Sequence, residues 1–389
     1  MALDMGQSYK VAVIGAGTSG LLTARELKRE GHHVTVFEKA SKVGGIWVYD
    51  PRVETDPLGL DPNREIVHSS LYKSLRANLP RQGMSFLDYP FLKKEGGDDQ
   101  RTFPGHEEVH RFLEGFARDF GLMELIQFGH EVIRVELVDE VNHEWIVESR
   151  TRETESHSTW ESKEEVFEAV VICNGVNTEP KIAEFPGRDT WPGLQMHSHS
   201  YRFPQLFENK IVVLIGSGPT AFDLVREISP LAKQLHQAIR SPTFQLIKSE
   251  NYDNLWQHSM IACAHKDGKV EFQDGSVVDA DVILHCTGCV AKVLSGKAKL
   301  PSQEEMASSV EKLYRELEMS GRSKHHTHRL QNGEVEYVSW VAAQSDTRLP
   351  RRWEEISFNT VVKQVLYCGE NFRDAWDVDK WIHERDSSD

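Results

Sequence analysis

Cysteine is scarce in this chain: there are five in 389 residues, an odd number. So few do not form a disulfide framework, and they suit a reducing compartment. Long apolar runs are missing as well. No uninterrupted stretch approaches the roughly 20 residues that cross a bilayer. The first ten residues, MALDMGQSYK, hold no apolar signal core. The charged stretch WIHERDSSD at the other end is expected to be no membrane anchor. Basic residues number 45 against 60 acidic ones, a net charge of −15. That balance argues against nucleic acid and anionic membrane as main partners. A cytoplasmic location is the expectation.

What remains is an ordinary globular composition, 39% hydrophobic and 27% charged, with room for two or three domains. The chain is organised around residues 10–50. An apolar run, Val11 to Ile14, reads as a buried strand and feeds the loop Gly15, Ala16, Gly17, Thr18, Ser19, Gly20. A helix follows, with Gly20, Ala24 and Leu27 on one face. A second apolar run, Val34 to Phe37, ends in Glu38. This is the βαβ pattern that binds a dinucleotide. Gly15 allows the tight turn, Gly17 lets the backbone approach a pyrophosphate, and Gly20 lets helix and strand pack closely. The free N–H groups of the helix start face the diphosphate. Glu38 is placed to accept from the adenosine ribose and would repel a 2′-phosphate, so the ligand reads as FAD or NAD.

Beyond it, Gly44 and Gly45 come where the chain passes the bound cofactor, and Trp47 either packs on that cofactor or is a buried loop residue. Residues 51–68 read as a polar surface loop. Residues 69–91 lack periodicity and contain Asn78. Val109, Phe112, Leu113, Phe116 and Phe120 mark a core-facing helix. From Glu131 to Val171 the pattern predicts two or three strands around a polar hairpin, Ser149 to Glu165. An apolar strand then ends in the turn Cys173-Asn174-Gly175, and the proline- and glycine-rich residues 176–209 read as an interdomain crossing.

The architecture then repeats. A strand, Lys210 to Ile215, leads into Gly216, Ser217, Gly218, Pro219, Thr220 and Ala221. A helix and a short strand, Leu235 to Ile239, follow, and here the strand ends in Arg240. A guanidinium there suits a 2′-phosphate, so this loop reads as the NADPH site. A third strand-and-turn, Asp279 to Gly288, is expected to return the chain to the first domain. Residues 1–205 with 280–389 would then form a discontinuous FAD domain and residues 206–279 an inserted NADPH domain, both α/β and Rossmann-like. A mostly helical region closes the chain, with Ser302 and Glu305 as a capping box and Met306, Val310, Leu313 and Leu317 as a core stripe. His325, His326 and His328 lack a cysteine or acidic partner at ligand spacing, so no metal is expected.

With both loops and the crossing in view, the chain resembles the flavin-containing monooxygenases, the plant glucosinolate S-oxygenase-like group in particular. The carriers are Trp191, Gly193, His197 and Tyr201 at the family's signature spacing, with SSLYKSLRANLP, FPGHEEV, VICNG and LPSQEEM elsewhere. Tryptophan replaces the more usual phenylalanine, and Val176 stands where a histidine is common. The resemblance implies FAD, NADPH and dioxygen, a flavin hydroperoxide held until a soft nucleophile attacks it, and S- or N-oxygenation of a small molecule such as a thioether. It also implies that Asn78 lies beside the flavin and nicotinamide as the catalytic polar side chain. The cofactor carries the chemistry, so no catalytic triad is required.

One departure is large. After Gly288 the family continues through a stretch that completes the flavin domain. Here Cys289 to Pro301 resembles the far end of that stretch, so a segment on the order of several dozen residues is absent, judged by strand–helix unit lengths. A variant impaired in catalysis, or an NADPH oxidase releasing peroxide, is the alternative reading. A third is a disulfide reductase using the Cys286 and Cys289 pair.

Overall fold

The computed structural model describes residues 8–86, 88–93, 99–139, 144–152, 160–175, 177–240, 246–290 and 373. The expected helix from Met306, the histidines at 325–328, and Val176 lie outside the described residues. The chain divides into two compact units: Met1–Arg76 with Gly105–Leu294, and Ala77–Pro104 with Ser295–Asp389. All the sheets discussed below belong to the first unit.

That unit opens with β1 (Lys10–Ile14), α1 (Thr18–Arg29) and β2 (His33–Glu38). After α2 (His106–Asp119) come β3 (Ile126–Phe128), β4 (Glu131–Asp139), β5 (Glu144–Arg152), β6 (Trp160–Phe167) and β7 (Ala169–Ile172). The first sheet is parallel in the order β3-β2-β1-β7. β1 is central and buried on both faces, which is why its sequence is an unbroken apolar run rather than an alternation. One face packs Ala12, Ile14 and Phe37 against Val132, Val147 and Phe167 of the antiparallel β4-β5-β6 sheet.

Within the expected polar hairpin the described residues are strand. Ser149 to Arg152 and Trp160 to Glu165 are paired strand, and Ser149 is buried. Its charges are met across the sheet: Arg134 pairs with Glu148 at 2.9 Å and with Glu164, and Arg150 with Glu131 at 2.6 Å. Cross-strand ion pairs let a charged sequence hold a strand register that hydropathy alone does not reveal.

The second half comprises β8 (Glu179–Pro180), β9 (Leu194–His197), β10 (Ile211–Ile215), α3 (Pro219–Ile228), β11 (Gln234–Ala238), β12 (Ile247–Lys248) and β13 (Leu255–His258). Then follow β14 (Ile261–Ala264), β15 (Lys269–Phe272), β16 (Val277–Asp279), β17 (Val282–His285) and β18 (Cys289–Val290). The second sheet runs β12-β13-β11-β10-β17-β9, parallel except for β12. On one face Val212, Leu214, Leu235 and Leu284 pack on Leu224, Val225 and Ile228 of α3. On the other, Val213, Ile215 and Ile283 pack on Val270 and Phe272 of the antiparallel β14-β15-β16 sheet.

One expectation needs correction. The strand ending in Cys286-Thr287-Gly288 does not join the first sheet; β17 hydrogen-bonds between β10 and β9 in the second. A parallel strand continuing a buried sheet looks the same in sequence whichever sheet accepts it. Only past Gly288 does the chain leave that sheet, where the Lys181 N–H donates to the Gly288 carbonyl and β18 pairs with β8. Among the described residues, no helix is long and apolar enough to cross a membrane.

Candidate nucleotide sites

Both glycine loops sit where a parallel strand hands over to a helix, and both are backed by a cysteine turn. Gly15 has φ +104°, and a Cβ there would lie 2.6 Å from the Cys173 carbonyl oxygen. Gly216 has φ +129°, with the Cys286 carbonyl oxygen at 2.4 Å from the same hypothetical atom. Each of these glycines donates its N–H to the neighbouring strand: Gly15 to the Phe37 carbonyl at 2.7 Å, Gly216 to that of Ala238 at 3.0 Å. Gly17 and Gly218 stand at the N-caps of α1 and α3 with no side-chain cap on either helix. The first-turn N–H groups are thus left to a ligand, the arrangement that binds phosphate.

Ser217, Gly218, Pro219 and Thr220 are exposed at the second loop, as is Ser19 at the first, where Thr18 is half-buried. A Cβ on Gly218 would meet nothing within 4 Å, and one on Gly17 would meet only the Gly45 backbone, nearest at 3.6 Å. Pro219 takes the first turn of α3, where its missing N–H costs nothing. The donor set and the open approach therefore fit a diphosphate at each loop. Gly44 donates its N–H to the Ala16 carbonyl at 2.9 Å, which lays the Gly44-Gly45 segment against the first loop as the sequence suggests. Trp47 is half-buried at the end of the short turn Gly45–Trp47.

Glu38 closes β2 behind the first loop. It is buried, and its two carboxylate oxygens accept from the Ala16 N–H at 2.7 Å and the Ala40 N–H at 2.8 Å. Burial raises its pKa, against the pull of those N–H donors. The carboxylate therefore braces the loop from behind. In the second sheet the matching register position is Ile239, since Ile14 pairs with Phe37 as Ile215 pairs with Ala238. Arg240 lies one residue beyond, opposite Lys39 in this correspondence, and is exposed. The contrast between the loops is thus a carboxylate replaced by isoleucine, followed by a cation.

The signature residues turn out to be structural. Trp191 is buried against the second sheet and donates its Nε1–H to the Gly268 carbonyl at 2.9 Å. Gly193 must lack a side chain because a Cβ would fall 2.1 Å from the Trp191 ring. His197 ends β9, fully buried, its Nδ1 accepting from the His199 N–H at 3.1 Å; burial holds its pKa down at about 4. Tyr201 donates its hydroxyl to Glu227 of α3 at 3.1 Å, beside Tyr72, which donates to Asp223 at 2.8 Å. Arg202, also buried, donates to the carbonyls of Asp50, Ser69, His199 and Tyr201 at 2.7–2.9 Å. It ties the 51–68 loop to the crossing, which explains why Glu54 and Val67 of that loop are buried rather than exposed.

Asn78 lies in the other compact unit and is exposed. The cysteine pair has no thiolate character. Burial drives the Cys286 thiol far up and pushes Cys289 up to about 11. A thiol that stays protonated near neutrality is a poor nucleophile, which weighs against a disulfide reductase. Among the described residues no cluster of metal-ligating side chains occurs. Sequence reading missed Tyr72, Arg202, Gln237 and Gln257. The last two carried a signal: polar side chains inside otherwise apolar strand patterns.

The flavin-binding monooxygenase-like family model matches residues 8–265, and the chain belongs to that family. It is accordingly a monooxygenase working with FAD and NADPH. Among its relatives, the flavin-containing monooxygenase FMO GS-OX5 of Arabidopsis thaliana is 42% identical over 438 residues, covering 97% of this chain and 94% of the relative. FMO GS-OX-like 3 of the same plant is 38% identical over 444, covering 98% and 97%. In three dimensions, the S-allyl-L-cysteine S-oxygenase of Allium sativum matches with a TM-score of 0.83 at 39% identity over 98% of both chains. The two plant alignments span more positions than the 389 residues available here, so these relatives hold several dozen positions within the matched span that this chain lacks.

Proposed function

We propose that this chain oxygenates the sulfur of small thioethers, with N-oxygenation of soft amines as a lesser activity. The observation that carries the reading is the pair of uncapped, glycine-lined helix starts with unlike ribose positions, in a chain whose similar structure is an S-oxygenase. FAD would lie on Gly15 to Gly20 with Glu38, Gly45 and Trp47. NADPH would lie on Gly216 to Ala221 with Arg240. In this division the first sheet serves the flavin, and the second sheet, which takes in β9 and β17, serves the nicotinamide nucleotide. The chemistry that bound FAD would supply is acceptance of a hydride from NADPH and activation of dioxygen.

The chain's own residues supply position and exclusion. The first-turn N–H groups of α1 and α3 hold the two diphosphates. Glu38 fixes the first loop. Tyr72 and Tyr201 hold α3 through Asp223 and Glu227, so the second diphosphate site keeps its place relative to the crossing segment. Bound nucleotide would help keep water from the reacting atoms. Cytoplasm is the proposed compartment. The test is mass spectrometry of the sulfoxide formed from a thioether such as S-allyl-L-cysteine under labelled dioxygen, with the visible spectrum recording bound flavin. One labelled oxygen in the sulfoxide is expected, and label drawn from water instead refutes the reading.

A further inference from the structure

The two nucleotide loops differ at three positions that answer one another: Gly20 against Ala221, Val36 against Gln237, and Ile126 against Gln257. In the first loop the third conserved-spacing residue is Gly20, and a Cβ there would lie 1.9 Å from the Gly15 carbonyl oxygen. That carbonyl therefore points into the first turn of α1, over the space glycine leaves. In the second loop the same position is Ala221, which has the Cβ. The Gly216 carbonyl cannot occupy the corresponding place. It turns instead to the side chain of Gln237, whose Nε2–H donates to it at 2.9 Å. Gln237 is 2% exposed, and its own Oε1 accepts from Gln257 Nε2 at 3.0 Å. The two glutamines face each other across β11 and β13. At the matching register of the first sheet stand Val36 and Ile126, which have no donor to offer.

We infer that Gln237, oriented by Gln257, is a positioning residue of the nicotinamide nucleotide site: it holds the Gly216 carbonyl that Ala221 displaces and so sets the course of the phosphate-binding loop. Glycine with Val36 and Ile126, and alanine with Gln237 and Gln257, are two solutions to the same steric problem. Removing the amide from the second set leaves a carbonyl without its partner, and the peptide that follows, carrying the Ser217 N–H, loses its orientation. The inference rests on the reading that the second loop binds NADPH.

The experiment measures NADP+ dissociation constants by calorimetric titration of FAD-loaded protein, with FAD content and melting temperature recorded for each variant. Q237L should weaken NADP+ about tenfold, the worth of one lost hydrogen bond to a buried acceptor, without loss of FAD. Adding A221G should restore binding, because the carbonyl regains the place it takes at Gly20; a purely structural role for Gln237 predicts no such rescue. Unchanged affinity in Q237L, or a double variant as weak as the single one, overturns the inference. If Q237L is not recovered folded, Q257L takes its place: a several-fold loss reversed by A221G supports the inference, and unchanged binding overturns it. G218V separates the two levels. If it leaves NADP+ binding intact, the assignment of the loop has failed; if it abolishes binding while Q237L does nothing, only the role of Gln237 has.

Discussion

Gly20→Ala adds one methyl group at the tightest point of the first loop. The new carbon would sit 1.9 Å from the Gly15 carbonyl oxygen and 3.5 Å from the Cys173 Cβ. Backbone closes the first approach, so no side chain can swing away. The peptide after Gly15 must rotate by more than an ångström, yet Gly15 is itself held at φ +104° with the Cys173 carbonyl behind it. Overpacking of this kind costs about 1–3 kcal/mol in a well-packed interior. Part of that would appear as instability of the empty protein and part as misdirected N–H groups at the FAD diphosphate. Each 1.4 kcal/mol is a factor of about ten in affinity, so FAD binding should weaken by several-fold and by at most roughly a hundredfold. The assay is the ratio of absorbance at the flavin band to that of protein after desalting, followed by titration with FAD. The second loop tells us how the defect should be repaired: Val36→Gln, set beside Gly20→Ala, offers the displaced carbonyl a donor. A Gly20→Ala protein that titrates with FAD as tightly as the unsubstituted chain would refute the steric argument outright.

Arg240→Ala should weaken NADPH far more than NADH, because only NADPH presents a 2′-phosphate; equal losses for both would dismiss the assignment. Arg202→Met removes a buried guanidinium that donates to four backbone carbonyls and leaves those acceptors without it. Buried acceptors left unsatisfied cost about 1–3 kcal/mol each before relaxation, so a lower melting temperature is expected, and a wild-type melt would contradict it. The first sheet ends among the described residues on β7, whose Ile172 is 51% exposed. With relatives carrying positions this chain lacks, we expect weak FAD retention and NADPH oxidation that yields mostly hydrogen peroxide. One sulfoxide per NADPH would show the flavin to be adequately enclosed.

Much of the nucleotide machinery was readable because it depends on local spacing. Gly15, Gly17 and Gly20 declare a strand-to-helix turn within a few residues, and the structure places α1 and β2 as that spacing demands. The second loop was legible for the same reason. What local spacing cannot carry is the partner across the sheet. The assignment of β17 to the second sheet depends on its pairing with β10 and β9, from distant parts of the chain. Likewise Arg240 looked like the counterpart of Glu38 until strand register identified Ile239 in that place. The strands at Ser149–Arg152 and Trp160–Glu165, within the expected polar hairpin, leave no periodic apolar trace because ion pairs between strands support them. Gln237 and Gln257, 20 residues apart, acquire meaning only when the register sets them side by side.

Arg202 holds its surroundings by main-chain oxygens alone, and this bears on how the protein can change over generations. The acceptors at Asp50, Ser69, His199 and Tyr201 are carbonyls that any amino acid would supply. Replacements at Asp50 or Ser69 can therefore accumulate with little penalty at this anchor, while a single change at Arg202 would release four attachments together. Tolerance and vulnerability are concentrated at opposite ends of the same hydrogen bonds. A library randomised at Ser69 should thus keep more folded members than one randomised at Arg202.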